Sequence, residues 1–308
     1  MNVVFKVSKQ TQDKLIDYYK EMFRDKKPPY SVFQADDMGT IITLYESGKV
    51  MFQGVSADSD AMMWQEIDKG NLDPNQEFNY DTYQEESYVK GKYYNASTVG
   101  SDEVGTGSYF GPIVVTATFV DRKDVSKLHN MGIGDSKRFS DEIIKKITPE
   151  LLKIVKYKSY ILDNKEYNNN HSKEFNLNKM KAVLHNKVLR ELINEEKPKY
   201  QYIVVDQFTP EKNYYNYLKD VKEVQDNISF VIHAEDECLS VGAASIIARY
   251  IFLQQMDKIS DELGIPLPLG SGEEADNIGK EIVKKYGKDK LNEIAKVSFK
   301  NTEKILSD

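Results

Sequence analysis

The chain has 308 residues and a net charge of −7, and 40% of its residues are hydrophobic. This composition suffices for one large or two unequal folded domains and argues against a disordered chain. It contains no run of about 18 apolar residues to span a membrane, and the polar N-terminus lacks the apolar core of a secretory signal. With a single cysteine, Cys238, an internal disulfide is excluded. We therefore expect a cytoplasmic protein, in which phosphate binding would need local basic patches or metal ions that bridge carboxylates to phosphate.

The first segment, residues 1–69, has the pattern of a small α+β domain. A predicted strand at residues 3–7 precedes a segment at 11–23 whose apolar residues recur at helical spacing. Two apolar runs then flank a glycine-containing turn at residues 46–49, which predicts a hairpin. A second helix over residues 57–67 would complete the domain.

Two residues of this hairpin, Tyr45 and Lys49, are candidates for contact with nucleic acid. An aromatic ring can stack on bases, and a lysine can pair with the phosphate backbone. A tyrosine in a strand more often packs against its neighbours, so a purely structural role is the alternative for this pair.

The rest of the chain has the pattern of a larger α/β domain. Residues 70–92 are polar and mostly acidic without a sustained period, which predicts a linker before a domain at 93–308. The predicted strands cover residues 112–120, 157–162, 200–208 and 228–235, and the predicted helices cover residues 141–155, 176–195 and 239–263, with two more helices after residue 272. A further strand ends near residue 102 and is joined to the next by a short glycine-rich turn, so we expect a mixed sheet.

Acidic residues stand at the ends of three predicted strands. Asp102 and Glu103 end the first strand of the domain, Asp206 ends a buried run, and Glu235 and Asp236 follow the last strand. Sites in open α/β sheets form at the carboxyl ends of adjacent strands, so these acids are predicted to meet. The alternative is that each acid caps a helix or lies in a solvated loop.

A cluster of carboxylates needs cations, because like charges raise one another's pKa. Mg²⁺ and Mn²⁺ are hard cations that prefer oxygen ligands. Two such ions, about 3.5–4 Å apart, stabilise the attacking and leaving oxygens in phosphodiester hydrolysis. The acids therefore indicate a nuclease with two Mg²⁺ or Mn²⁺ ions, which would also explain how a net-acidic protein holds a polyanion.

A glycine-rich loop at residues 105–111 follows the first pair of acids. It is superficially similar to a dinucleotide-binding fingerprint, but that motif opens a helix, and here the glycines lead into a strand. Glycines let backbone groups approach a ligand closely, and a 2′-hydroxyl both donates and accepts hydrogen bonds. Gly105, Thr106 and Gly107 are therefore candidates to bind a ribose, with a tight turn that has no ligand as the alternative.

Several stretches of the sequence resemble motifs of the type 2 ribonucleases H, and specifically of bacterial ribonuclease HIII. They are residues 100–112, 134–137, 204–208, 234–249 and 299–304, in the order expected for the family. Residues 43–54 are similar to the extra, TATA-binding-protein-like domain of ribonuclease HIII, and Thr106 stands where ribonuclease HII usually has arginine. The resemblance implies a ribonuclease H-like mixed sheet flanked by helices, with a small N-terminal α+β domain.

The same resemblance implies a reaction and a site. Asp102, Glu103, Asp206 and Glu235 would form the catalytic, metal-binding quartet, with Glu235 preferred over Asp236. The implied reaction is hydrolysis by water of the RNA strand of an RNA/DNA hybrid, leaving 5′-phosphate and 3′-hydroxyl ends. The hybrid is the expected partner, and we expect a monomer without an obligatory protein partner.

The resemblance also implies substrate contacts outside the acids. Lys137 would meet a substrate phosphate, and Ser136 is a weaker candidate in the same segment. Two positions depart from the family, since His233 and Leu269 stand where it commonly has lysine. Any phosphate contact of those family lysines is not carried over to this chain.

Other basic residues carry weaker signals. Lysines make the C-terminal helical region basic, which predicts a solvated face more often than a nucleic-acid contact. They are Lys284, Lys285, Lys288, Lys290 and Lys296. The histidines without metal-ligand spacing are expected to be structural, namely His129, His171 and His185.

Two other functions compete with a nuclease. One is a catalytically silent RNA/DNA-binding protein on the same fold, which the presence of all four acids disfavours. The other is a nucleotide-dependent oxidoreductase, which the context of the glycine loop disfavours.

Overall fold

The computed structural model describes most of the chain. The described residues are 2–37, 40–54, 57–70, 91–134 and 139–307. Contacts divide the chain into two compact units, residues 1–83 and 84–308. Most of the predicted linker lies outside the described residues, so the bounds of 1–69, 70–92 and 93–308 stay predictions. Within the described ranges, no helix combines the length and apolar character that crossing a membrane requires.

The first unit is a four-stranded antiparallel sheet with two helices. Its elements are β1 Asn2–Lys6, α1 Lys9–Tyr19, β2 Ser31–Asp37, β3 Thr40–Tyr45, β4 Lys49–Gly54 and α2 Ala57–Asp68. The strand order is β1-β4-β3-β2, and the hairpin of β3 and β4 is the predicted one. β2 was not predicted, although its residues alternate between buried and more exposed positions.

The helices cover one face of this sheet. Val50 and Phe52 of β4 are fully buried in the core beneath them. Trp64 of α2 belongs to the same core and donates from Nε1 to the hydroxyl of Tyr19 at 3.0 Å. Strand side chains alternate between faces, so half-buried Tyr45 and exposed Lys49 lie on the opposite, uncovered face.

The second unit is built on a five-stranded mixed sheet. Its strands are β5 Thr98–Val104, β6 Ile113–Val120, β7 Lys156–Leu162, β8 Tyr202–Asp206 and β9 Ile228–Val231. They lie in the order β7-β6-β5-β8-β9. β6 is antiparallel to both of its neighbours, whereas β5, β8 and β9 run parallel to one another. The predicted mixed sheet is confirmed.

Helices of the second unit lie on both faces of the sheet. They are α3 Val125–Asn130, α4 Asp141–Leu151, α5 Asn164–Asn170, α6 Leu177–Glu196, α7 Glu211–Tyr217, α8 Ala234–Glu237, α9 Leu239–Leu263, α10 Glu273–Tyr286, α11 Leu291–Ile294 and α12 Lys300–Leu306. Neighbouring residues of β6 show the two layers. Val115 packs in the core with Val188 of α6, whereas Val114 packs with Phe252 of α9.

A small residue lets α9 approach the sheet closely. A Cβ atom on Gly100 of β5 would lie 2.5 Å from Ser240 Oγ, which is closer than a real contact allows. Hydroxyls then join the layers, since Thr98 Oγ1 donates to Ser240 Oγ at 2.8 Å and Thr118 Oγ1 donates to the Ser240 carbonyl at 2.6 Å. The N-terminus of α9 is thus fixed directly under the strand that carries Asp102 and Glu103.

The structure differs from the sequence prediction near the end of the sheet and at the C-terminus. β9 ends at Val231, earlier than predicted, because His233 takes the left-handed backbone conformation with a φ of 55°. After residue 272 the described chain holds three α-helices where two were predicted, because Gly287 at a φ of 84° ends α10. The first difference matters for the site, because the turn leads directly into α8, which carries Glu235.

Candidate active site

Two of the predicted acids lie side by side at one edge of the sheet. Ser101 of β5 is paired in parallel register with Val205 of β8. Asp102 and Asp206 are the next residues of these two strands and therefore follow at their carboxyl ends. Glu103 follows on β5.

A short turn brings Glu235 towards the same edge. The backbone N–H of Ala234 donates to Asp206 Oδ1 at 2.9 Å, and the N–H of Gln207 donates to the Val231 carbonyl at 2.9 Å. These bonds tie the end of β8 to the chain that enters α8. The negative charge of Glu235 contributes to raising the pKa of Asp206, which fits a position for Glu235 beside the other acids.

The acids share one electrostatic neighbourhood. Burial and the charge of Glu103 raise the pKa of Asp102 to about 8, and Asp206 adds to this effect. Hydrogen bonds from Ser245 and from the Glu103 N–H oppose it. Burial also raises the pKa of Asp206, with further contributions from Glu235 and Glu103. The edge of the sheet therefore concentrates negative charge where water does not fully screen it.

Two side chains of α6, Lys181 and His185, hold the carboxylate of Glu103. Lys181 Nζ forms an ion pair with Glu103 Oε1, and His185 Nε2 lies 2.8 Å from Glu103 Oε2. Burial alone would raise the pKa of Glu103, but its contacts with His185 and Lys181 outweigh burial and lower it. The protein itself therefore keeps Glu103 ionised.

Lys181 and His185 are fixed by their own surroundings. His185 is fully buried and Lys181 nearly so. The His185 ring stacks on Phe208, with 5.2 Å between centroids, and Lys181 Nζ lies 4.0 Å from the centroid of the same ring. Because a carboxylate only accepts, His185 Nε2 carries a proton, and in the neutral ring Nδ1 accepts from Ser101 Oγ at 2.7 Å.

Neither residue was predicted to take part in the site: His185 was expected to be structural, and Lys181 was not singled out from the sequence. A signal was present, because the two residues are four apart and so share one face of a helix, and that face also carries the buried apolar residues Leu184 and Val188.

The donor set suits a hard divalent cation. Carboxylate oxygens are the preferred ligands of Mg²⁺ and Mn²⁺, and the raised pKa of Asp102 is the result expected for carboxyls crowded together without compensating charge. Within the described ranges, however, no group of three Asp, Glu, His or Cys side chains is gathered closely enough to form a ready cage for a metal. Here Glu103 is turned to Lys181 and His185 instead. The residues suit the metal by their chemistry, while their side chains are not gathered into one coordination shell.

The glycine loop lies beside this edge as a tight turn between β5 and β6. Gly105 has a φ of 95°, and a Cβ there would lie 2.3 Å from the Pro112 carbonyl oxygen, so the fold requires glycine. The Ser108 N–H donates to the Gly105 carbonyl at 3.2 Å and closes the turn. Gly107 is exposed, and a Cβ there would meet nothing within 4 Å. The fold therefore does not itself explain the glycine at 107.

The outcomes for the remaining predicted residues differ. Ser136 and Lys137 lie outside the described residues, so their assignments stay predictions, as do those of Tyr45 and Lys49 on the uncovered face of the first unit. His233 is exposed in the turn before α8. Lys296 was expected on a solvated basic face, and that expectation was wrong because the residue is fully buried.

Comparison with known proteins identifies the family. The sequence pattern of the family "Ribonuclease HII" matches residues 99–302. The curated ribonuclease HIII of Bacillus cereus is 38% identical over 305 residues, which cover 98% of this chain and 97% of the relative. The chain belongs to the ribonuclease HIII family. It is thus a ribonuclease H, with activity on RNA/DNA hybrids.

Further relatives agree with this membership. Ribonuclease HIII of Bacillus mycoides is 39% identical over 306 residues, covering 98% of this chain and 97% of the relative. A crystal structure of Bst-RNase HIII in complex with Mn²⁺ is 35% identical with a TM-score of 0.68, and the match covers 100% of this chain and 98% of that one. RNase H3 of Aquifex aeolicus, 24% identical with a TM-score of 0.54, shares the fold. Residues 2–77 match a family described as a domain of unknown function.

Proposed function

We propose that this ribonuclease H hydrolyses the RNA strand of RNA/DNA hybrids with two divalent metal ions, leaving 5′-phosphate and 3′-hydroxyl ends. The observation that carries the proposal is the placement of Asp102 and Asp206 at the adjacent carboxyl ends of β5 and β8. Glu103 follows Asp102 on β5, and the bond from the Ala234 N–H to Asp206 ties the residue before Glu235 to the same edge. Such a set of partly buried acids is costly unless cations neutralise it. The Mn²⁺ in the structure of Bst-RNase HIII supports a divalent ion as that cation.

These four acids would hold the ions. When bound, divalent ions lower the pKa of an attacking water and stabilise the charge that develops on the phosphate oxygens. Lys181 and His185 hold the Glu103 carboxylate and keep it ionised, which is the state in which it would act as a ligand. Ser245 and the Ala234 N–H donate to the carboxyls of Asp102 and Asp206 and so hold these two side chains in place.

The glycine loop would make the enzyme select a ribose at this position of the substrate. Gly105, Thr106 and Gly107 present backbone N–H and C=O groups next to the acids, and a 2′-hydroxyl can both donate to and accept from such groups. The open space at Gly107, where the fold itself does not require a glycine, supports a close approach of the ligand to this backbone. In this role the loop, rather than the acids, would separate RNA from DNA.

The first unit would add affinity for the hybrid. Tyr45 and Lys49 lie on the face of its sheet that α1 and α2 leave uncovered, where an aromatic ring and an ammonium group can contact nucleic acid. Replacing both residues, by Tyr45→Ala and Lys49→Met, should raise KM about threefold with kcat unchanged, as expected for binding energy that acts equally on substrate and transition state. Lys9→Met, in an exposed ion pair on α1, is the matched control. An unchanged KM in the double variant would remove this unit's sheet face from the proposal.

The proposal is tested with an RNA/DNA hybrid labelled on the RNA strand. We expect cleavage with Mg²⁺ or Mn²⁺, none with chelator, and products that carry 5′-phosphates and can be ligated to a 3′-hydroxyl. Asp220→Asn, which changes an exposed acid of the second unit, is the control and should cleave the hybrid like the wild type. Tight binding of the hybrid without metal-dependent cleavage would favour the silent binding protein, and products with 3′-phosphates would contradict the proposed chemistry.

A further inference from the structure

A buried lysine from the C-terminal segment reaches the base of the glycine loop. Lys296 has 0% of its surface exposed. Its Nζ donates to the Ser108 carbonyl at 2.8 Å and to the Gly111 carbonyl at 2.6 Å. Both carbonyls belong to the loop that follows Asp102 and Glu103, although Lys296 lies far from it in sequence.

The backbone around Lys296 is joined to the same loop. The Lys296 N–H donates to the Tyr109 carbonyl at 2.9 Å, and the Gly111 N–H donates to the Ile294 carbonyl at 2.9 Å. A second side chain, Asn164, donates from Nδ2 to the Gly111 carbonyl at 2.9 Å. The end of the loop is thus held by several bonds from distant parts of the chain.

A lysine is a costly choice for this position. Burial lowers the pKa of Lys296 to about 7, which reflects the cost of keeping an ammonium group away from water. Methionine would fill similar space without that cost. The described partners of Nζ are two carbonyl oxygens, and a neutral amine offers two N–H donors, so the group can satisfy both carbonyls in either protonation state.

The base and the tip of the loop differ in how closely they are packed. At its base, Gly111 has a φ of 77° and packs against Met256 of α9. At its tip, Gly107 is exposed with open space around it. A clamped base with an open tip is the arrangement expected of a backbone that must present fixed N–H and C=O groups to a ligand.

We propose that Lys296 is a positioning residue for ribose recognition, which fixes the backbone of residues 105–111 through the carbonyls of Ser108 and Gly111. The inference rests on the proposed function, because it assumes that this loop binds the 2′-hydroxyl. Lys296 does not touch the substrate in this account and acts through the loop.

The test is a ribose scan of the hybrid. A series of RNA strands, each with a single 2′-deoxynucleotide at a different position, is paired with DNA, and kcat and KM are measured for each. In the wild type, one position near the cleaved bond should show a marked loss of kcat/KM. In Lys296→Met we expect that position-specific loss to shrink by about 3- to 10-fold, the size of one or two oriented hydrogen bonds.

Two further variants separate positioning from stability. Ile305→Ala removes apolar contacts in the same C-terminal region and should leave the ribose scan unchanged. Asn164→Ala removes the other side-chain donor to the Gly111 carbonyl. It should reduce the position-specific loss of kcat/KM as Lys296→Met does, but by a smaller factor. If Lys296→Met does not fold, the Asn164→Ala result decides.

The outcomes are distinguishable. A wild type that does not cleave the hybrid, or that cleaves without any position-dependent need for ribose, would overturn the proposed function itself. A wild type with a clear ribose position that Lys296→Met and Asn164→Ala both retain in full would overturn only the role of Lys296. If Ile305→Ala reduced the position-specific loss of kcat/KM as much as Lys296→Met does, the effect would be one of stability, and the role of Lys296 would be overturned as well.

Discussion

The acidic edge of the sheet and the glycine loop beside it are built in different ways. Three of the four acids are side chains at the ends of β5 and β8, and their positions follow from the pairing of these two parallel strands. The loop works through its backbone, and its shape depends on Lys296 and Asn164, which come from distant segments. One site is therefore set by local sequence and sheet register, whereas the other depends on contacts that form only when the whole unit folds.

This difference predicts where substitutions act. Changes at the acidic edge should abolish chemistry with little effect on binding of the nucleic acid. Changes in the loop should alter the need for ribose or the stability of the fold while the acids remain intact.

The largest effect is expected at the acidic edge. Asp102→Asn removes a charge that would hold a divalent ion, and transition-state stabilisation by a metal is worth several kcal/mol, so cleavage should fall about 1,000-fold. Steady-state cleavage of the hybrid by Asp102→Asn, with Asp220→Asn as the control, measures this loss. Near-full activity of Asp102→Asn would mean that the acids have been assigned wrongly.

A smaller effect is expected from the contacts that hold Glu103. Lys181→Met or His185→Ala leaves one oxygen of the Glu103 carboxylate without its partner. Loss of such supporting contacts weakens metal binding by about 10- to 100-fold. Calorimetric titration with Mn²⁺ measures this directly, with Lys153→Met in an exposed ion pair as the control. Equal Mn²⁺ affinity in all three variants would show that Glu103 needs no such support.

Two glycines of the loop, Gly105 and Gly107, should respond differently to replacement by alanine. Gly105→Ala places a Cβ against the Pro112 carbonyl at a positive φ, so it should lower the free energy of unfolding by about 1–3 kcal/mol or more. Gly107→Ala meets open space and should leave stability within about 0.5 kcal/mol while it weakens hybrid binding. Denaturation curves and binding isotherms of both variants test this pair. A Gly107→Ala protein that binds the hybrid as the wild type does would argue against close approach at the tip.

The last expected effect is a pH dependence of stability at Lys296. Burial lowers the pKa of Lys296 to about 7, whereas an unfolded lysine titrates near about 10.4. Between these values the unfolded chain binds a proton that the folded chain does not, so the free energy of unfolding rises with pH.

This contribution disappears when the lysine is replaced. The difference in unfolding free energy, wild type minus Lys296→Met, should therefore rise by up to about 1.4 kcal/mol per pH unit above pH 7. Urea denaturation at two pH values, near neutrality and about two units above it, measures the slope. A difference that stays constant with pH would mean that Lys296 keeps its proton in the folded protein.

The sequence predicted the mixed sheet of the second unit well because its strands depend on local patterns. α9 begins and ends where its apolar spacing and Gly264 indicate, and the strand that ends in Asp206 is a continuous apolar run. The short helix α5 was missed because its asparagine-rich residues resemble a loop, and it is the cap by Asp163 that starts it.

The parts that sequence could not predict are those made by long-range contacts. The role of His185 depends on a carboxylate 82 positions away, and the burial of Lys296 depends on a loop 185 positions away. A lysine in a basic segment is usually solvated, and nothing local distinguishes Lys296 from Lys290. The left-handed turn at His233, which shortens β9 and leads into the helix of Glu235, is likewise fixed by the bond from the Ala234 N–H to Asp206.

The central claim is that Asp102, Glu103, Asp206 and Glu235 hold divalent ions together, and a calorimetric titration of the full chain with Mn²⁺ tests it most directly. We expect the wild type to bind two ions in the presence of a hybrid whose RNA strand resists cleavage, and Asp206→Asn to lose at least one of them. Binding of Mn²⁺ with unchanged stoichiometry and affinity in Asp206→Asn would contradict the account.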